Sequence, residues 1–524
     1  DSSSNSFVIS FIYVLPHYLL LFTCIKSYSQ VLNKNNMKEY KFKTKPYDHQ
    51  LTALEKGWDK EYYAYFMEMG TGKSKVLIDE IASLYLRGKI TAALIVAPKG
   101  VYRNWEKGEL PIHMPDDIPV QIAAWKAPSE MNIQDKKSLK DILYPNGKLR
   151  ILLMNIEAFS GTTGVKYAAQ FLHKANTLMA IDESTTIKTP TAARTKNVLK
   201  IGKLAKYRRI MTGSPVTKNP LDVYSQLEFL SDQILRQNYW AFRSRYAIMR
   251  NVNFGPRSTQ LVVGFQRLPE LNTIVEHHSY RVLKEDCLDL PDKVYEKRFV
   301  TLTPEQVKAY EEMRRFNMTE VDGETMTSLS SLTALIRLHQ ISCGHITFDS
   351  GETQALKSNR MNELLNALDE VEGKVIIWAS YRFDLKHIEK TLKEKYGEES
   401  TASYFGDTKD RDRQPIVDLF QDKNSKLKYF VGNPSTGGYG LTLTAAHTVI
   451  YYSNTYDLEK RLQSEDRAHR IGQVNKVTYI DLISEGTIDE KIVQSLRSKI
   501  DIASAVMGED IKQWLIEPLT KRKK

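Results

Sequence analysis

From Met37 onward, short apolar runs rich in β-branched residues alternate with stretches whose apolar positions recur every three to four residues. The first series of runs includes Ala93–Val96, Ile151–Met154, Leu178–Ile181 and Arg209–Met211. A second series includes Val375–Trp378, Tyr429–Val431, Val449–Tyr452 and Val477–Ile480. Strands separated by helical patterns predict strand-helix-strand units, and two such series predict two α/β units with parallel sheets. Between them, over about 220–350, the pattern turns helical and irregular, as in Pro304–Met318 and Thr327–Ile341. We therefore expect a first lobe over 37–245, a helical insertion and linker over 246–350, and a second lobe over 351–505. Residues 506–524 read as a tail ending in Lys521-Arg522-Lys523-Lys524, a charge run expected to be solvated.

One segment breaks the pattern. Phe7–Ile25 is largely apolar and long enough to span a bilayer, but Pro16 and His17 interrupt it, and neither a basic flank nor a small-residue cleavage site accompanies it. Met37 stands just before the charged opening of the patterned region, so residues 1–36 read as a leader or non-native segment, and no stable membrane association is expected. The composition is globular, with 42% hydrophobic and 26% charged residues in 524. A net charge of +11 suits a polyanionic partner. The cysteines Cys24, Cys287 and Cys343 form no CxxC pair, which argues against a disulfide framework or zinc knuckle and for a reducing, cytoplasmic setting.

Three constellations carry chemistry. Gly70-Thr71-Gly72-Lys73-Ser74 follows the apolar Tyr63–Phe66 and opens the helical pattern Val76–Leu86, the context of a phosphate-binding loop. Its backbone N–H groups would cradle phosphate, Lys73 would meet the β/γ-phosphates, and Ser74 would ligate Mg²⁺. Met67 occupies the place of the first glycine of the usual pattern. Asp182-Glu183 comes straight off Leu178–Ile181, so both carboxylates belong at a strand's C-terminal end, where open α/β sheets bind ligands. There Asp182 would hold Mg²⁺ and Glu183 would orient an attacking water. Arg467 and Arg470 lie three residues apart in a polar segment that reads as one turn-rich helix, so both could face a cleft and neutralise charge on a transferring phosphoryl group.

On these residues the chain resembles the Swi/Snf-type ATPases of helicase superfamily two, in a compact bacterial or viral form, from about Pro46 to Met507. Further matches are Pro46–Gln50, similar to the adenine-reading glutamine segment; Ala97-Pro98-Lys99 with Trp105; Ile187-Lys188; Met211–Pro215; Leu290–Lys293; and Gly437–Leu441. The string Asp466–Gln473 is the most specific. The resemblance implies two RecA-like lobes facing a cleft, with ATP·Mg²⁺ held by Gln50, Gly70, Thr71, Gly72, Lys73, Ser74 and Gly440. Lys73, Asp182, Glu183, Arg467 and Arg470 would carry hydrolysis.

It also implies double-stranded DNA as the track, in remodelling, repair or recombination. No motif identifies a protein partner. A strand-separating helicase, or the motor of a restriction-like system, is the alternative enzyme; a non-hydrolysing DNA-binding scaffold is the alternative of another class. Three departures stand out: Ser184-Thr185 in place of Ala-His, Ser214 in place of threonine, and Tyr456-Asp457-Leu458 in place of Trp-Asn-Pro. The catalytic carboxylates, lysine and arginines are untouched by them; the coupling between hydrolysis and DNA movement is not.

Overall fold

The computed structural model describes residues 40–99, 101–254, 257–321, 324–327, 331–437 and 441–508. Phe7–Ile25, the C-terminal tail and Gly440 lie outside these residues. Among the described residues, no helix is long and apolar enough to cross a membrane.

The first sheet is built from β1 (Tyr62–Met67), β2 (Ala92–Ala97), β3 (Val120–Ala124), β4 (Leu149–Asn155), β5 (Thr177–Asp182) and β6 (Tyr207–Met211). The strands β7 (Ala247–Phe254) and β8 (Arg257–Phe265) form a separate antiparallel hairpin, and β9 (Ser279–Val282) returns to the first sheet. Its spatial order is β3-β4-β2-β5-β6-β1-β9, and every pairing is parallel. Alternate residues of one strand feed opposite cores: Leu94 and Val96 pack on one face, Ala93, Ile95 and Ala97 on the other. A parallel sheet covered on both faces needs such unbroken apolar runs.

The second sheet uses β10 (Lys293–Val300), β15 (Lys374–Trp378), β16 (Thr401–Tyr404), β17 (Tyr429–Gly432), β18 (Ala446–Tyr451) and β19 (Val477–Ser484). Its order is β10-β19-β18-β15-β17-β16, again all parallel. Val375 and Ile377 enter one core while Ile376 and Trp378 enter the other. Two small antiparallel hairpins lie between β10 and β15 in sequence, β11 (Met318–Val321) with β12 (Glu324–Thr327), and β13 (His345–Thr347) with β14 (Thr353–Ala355). These are the two RecA-like α/β lobes expected from the strand series.

The stretch expected to be a helical insertion is not purely helical. It supplies β9 to the edge of the first sheet, β10 to the edge of the second, and the hairpin β7-β8. Its helices are Leu268–His278, Pro304–Phe316 and Ser331–Cys343, so the expected continuations to Met318 and back to Thr327 fall in β11 and β12 instead. Asn317 takes a left-handed conformation at the end of the helix and turns the chain into the hairpin.

Candidate functional site

The helix Lys73–Leu86 begins directly after β1 and the loop Glu68–Gly72. Gly70 and Gly72 adopt φ of 85° and 83°, a region that side chains rarely visit, and a Cβ on Gly72 would meet the Gln50 amide at 2.1 Å. The loop is tied from below. Gln50 Nε2 and His49 Nε2 both donate to the Thr71 carbonyl, at 3.1 and 2.8 Å, while Gln50 Oε1 accepts from the Tyr47 N–H. In this arrangement the buried Gln50 amide braces the loop, whatever else it contacts with a nucleotide present. Lys73 is buried at the head of the helix, and its ammonium reaches the Glu68 carbonyl at 3.4 Å.

Asp182 is the last residue of β5, with Glu183 next to it in a left-handed conformation at φ 52°. That strain, about 1–3 kcal/mol for a non-glycine residue, is held by the contacts around it. The Trp105 indole donates to Asp182 Oδ2 at 3.0 Å and the Thr212 hydroxyl to Glu183 Oε2 at 3.1 Å. Burial raises the pKa of both carboxyls against the pull of Lys73; Glu183, also facing Asp182 and Glu459, is pushed up to about 7. Gly213 lets the Met211–Pro215 segment approach the loop, since a Cβ there would stand 3.2 Å from the Met69 nitrogen.

Across the cleft, the helix Leu458–Glu465 ends before the two arginines, which occupy the turns that follow rather than one helix face. They converge nonetheless: Arg467 and Arg470 both donate to the Leu441 carbonyl, at 3.2 and 3.0 Å. Arg467 is almost fully buried and reaches the Met69 sulfur at 4.0 Å, and Arg470 Cβ lies 3.7 Å from the position a Gly70 Cβ would take. Lys284 staples the two sides, its backbone N–H donating to Glu68 and its ammonium to Asp466 at 2.5 Å and to the His469 carbonyl at 2.9 Å. The loop that Gln50 braces, running into Lys73 and Ser74, and the neighbouring Asp182-Glu183 pair thus meet Arg467 and Arg470 of the second lobe.

Sequence reasoning missed Glu109. The residues Trp105–Glu109 form a single π-helical turn, a one-residue bulge of the kind that recurs at functional sites. Its carboxylate accepts a hydrogen bond from the Asn104 amide at 3.3 Å; burial and Asp182 push its pKa up, while the nearby Ser74 hydroxyl and Arg470 oppose them. An acidic residue in a loop-like stretch carries no distinguishing sequence signal. Only the bulge brings it to Ser74.

Comparison with known proteins adds the family. A model described as "SNF2-related domain" matches residues 65–346, more than half of the chain. The chain belongs to the SNF2-related family. A second model, "Helicase conserved C-terminal domain", matches residues 357–472. The SNF2-related match runs through nearly all of the stretch first read as an insertion. Among relatives, the SWI/SNF chromatin-remodeling complex subunit snf22 of Schizosaccharomyces pombe is 27% identical over 88% of this chain and 28% of its own length. An uncharacterized ATP-dependent helicase of Mycoplasma pneumoniae is 26% identical over 85% of this chain and 40% of its own. The chain therefore spans well under half of these relatives. A solved structure, the Sulfolobus solfataricus SWI2/SNF2 ATPase core in complex with dsDNA, is 24% identical, covering 90% of this chain and 95% of that one, with a TM-score of 0.40.

Proposed function

We propose that this SNF2-related chain is an ATP-hydrolysing motor that tracks along double-stranded DNA. The observation that carries the reading is the meeting, in one cleft, of a glycine-built phosphate loop, the Asp182-Glu183 pair and the two arginines of the opposite lobe. Lys73 would leave the Glu68 carbonyl to meet the terminal phosphates. Glu183, fixed by Thr212, would orient the attacking water, and Arg467 and Arg470 would neutralise charge building on the transferred group.

Ser74 and Asp182 would hold Mg²⁺, whose positive charge would help neutralise the phosphates. The residues fit it: the ion takes oxygen ligands, typically one or two carboxylates with phosphates and waters, and Ser74 and Asp182 present such oxygens with Glu109 beside them. Among the described residues no group of three or more His, Cys, Asp or Glu forms a self-sufficient metal cage, which this mode of binding does not require.

The Lys284 contacts to Glu68 and Asp466 hold the two lobes together beside the phosphate loop. Nucleotide entry would part the lobes there, and closure would bring the arginines back against the loop. Repeated opening and closing is what would move two lobes along a phosphate backbone. The net charge of +11 and the relatives named for chromatin remodelling and helicase activity support nucleic acid as the track.

An ATPase assay with duplex DNA, single strands or no DNA tests the reading. Hydrolysis stimulated by DNA is expected. DNA binding with no hydrolysis under any condition would overturn it in favour of a scaffold.

A further inference from the structure

One departure from the family pattern makes a contact across the cleft that ends directly beside another. Thr185, which stands where histidine is usual, donates its hydroxyl to Glu459 Oε1 at 2.7 Å across the interlobe cleft. Glu459 lies in the first turn of the helix Leu458–Glu465, just after the altered Tyr456-Asp457-Leu458, and the Asp457 side chain caps that helix. The other oxygen of Glu459 receives the Lys188 ammonium at 3.0 Å. Lys188 also donates to the Thr217 hydroxyl at 2.7 Å, in the segment that follows Met211–Pro215. One carboxylate of the second lobe thus gathers two donors from the 3₁₀ turn that begins directly after Glu183 and ends at Lys188.

The chemistry suits a latch. Thr185 is β-branched and stiff at χ1, so its hydroxyl is held in place at little entropic cost. The two contacts from the turn to the Glu459 carboxylate, one of them an ion pair with Lys188, are joined by a longer one from Gln463 at 3.4 Å on its own helix, and both turn partners are largely shielded from solvent. A carboxylate in the first turn of a helix is also favoured by the helix dipole. Glu459 and Glu183 line the same pocket, so engaging Glu459 fixes the backbone that presents Glu183.

We propose that Glu459 is a positioning residue that latches the second lobe onto the Glu183 segment through Thr185 and Lys188, making hydrolysis conditional on engagement of the lobes. The inference rests on the ATPase reading above. It needs no contact between Glu459 and the nucleotide.

The test uses the full chain with Thr185→Val, Glu459→Ala and the double variant, assayed for duplex-stimulated hydrolysis and for thermal unfolding. Each single variant is expected to lower kcat about tenfold with KM for ATP within about twofold and the melting temperature unchanged. The double variant should be no worse than the poorer single, since residues acting as one unit are not additive. Thr185→Ser, which keeps the hydroxyl, should restore most of the loss.

Unchanged kcat, multiplicative losses, or failure of Thr185→Ser to restore turnover would each overturn the latch. A second readout needs no turnover: dyes on the two lobes should report a larger mean separation in Glu459→Ala with a non-hydrolysable ATP analogue bound. An unchanged separation would overturn the latch as well. An unmutated chain without DNA-stimulated hydrolysis would refute the ATPase reading; an active one whose variants are indifferent refutes only the latch.

Discussion

At the scale of single residues, the proposed function would divide the cleft into groups that bind nucleotide and groups that act on charge developing during the reaction. Lys73→Ala removes the cation proposed to meet the terminal phosphates, and hydrolysis should fall to background in a phosphate-release assay while circular dichroism stays unchanged. Arg470→Ala should keep nucleotide binding but lose on order of 10³-fold in turnover, because an arginine finger works mainly on the transition state. Equal losses in fluorescent-nucleotide binding and turnover would make Arg470 a ground-state ligand instead. Glu109→Ala should raise the Mg²⁺ concentration at half-saturation of nucleotide binding about tenfold or more, since partners behind a metal ligand tune its affinity to that degree, and Glu109 stands beside the proposed ligands Ser74 and Asp182. An identical Mg²⁺ titration would assign Glu109 to packing alone. The loop, the Asp182-Glu183 pair and the arginines could be read from sequence because each is a short string in a diagnostic context. Glu109, Lys284 and Glu459 could not, because their meaning comes from what folds against them.

At the scale of elements, the central strands could be read from sequence because burial on both faces demands uninterrupted apolar residues, as in Leu94–Val96 and Val375–Trp378. The edges could not. Ser279–Val282 and Lys293–Val300 carry polar and charged residues on half-exposed backbones, which is how edge strands avoid further pairing, and such sequences look like loop. A charged residue can also sit in the middle of the first lobe. Arg209 of β6 is fully buried and donates to Glu80 of the helix Lys73–Leu86, and also to the Gly57, Lys60 and Glu61 carbonyls; the Tyr65 hydroxyl adds a bond to Glu80 at 3.1 Å. This network fastens the helix that carries Lys73 to the sheet that carries Asp182. Breaking a buried pair from one side leaves the other charge uncompensated, so Glu80→Ala should lower stability by about 3–5 kcal/mol in urea unfolding. A loss below about 1 kcal/mol would mean that the carbonyls alone satisfy Arg209.

At the scale of the whole molecule, the question is what the closing lobes hold. A motor that grips phosphates binds through charge, and its affinity for DNA should fall steeply with salt, with a log-log slope of about −0.9 for each duplex phosphate contacted. Charge does not choose between one strand and two, because both offer phosphates. The choice rests on how bases are treated: single-strand binders stack successive bases on aromatic platforms. Trp378 and Tyr381, beside the lobe-two motifs, serve the fold instead. Trp378 is fully buried in β15 against Phe430, and Tyr381 caps a helix with its hydroxyl on His339. The expected outcome is that duplex DNA stimulates hydrolysis more than single strands of matched length, and that the motor displaces the third strand of a triplex while leaving a forked duplex paired. Base-specific contacts are not needed for this, since contacts to phosphates position a protein without reading sequence. Rates with matched substrates at fixed salt, followed by triplex displacement and fork unwinding, decide it. Stronger stimulation by single strands together with efficient fork opening would make the chain a strand-separating helicase, with the same cleft driving a different kind of step.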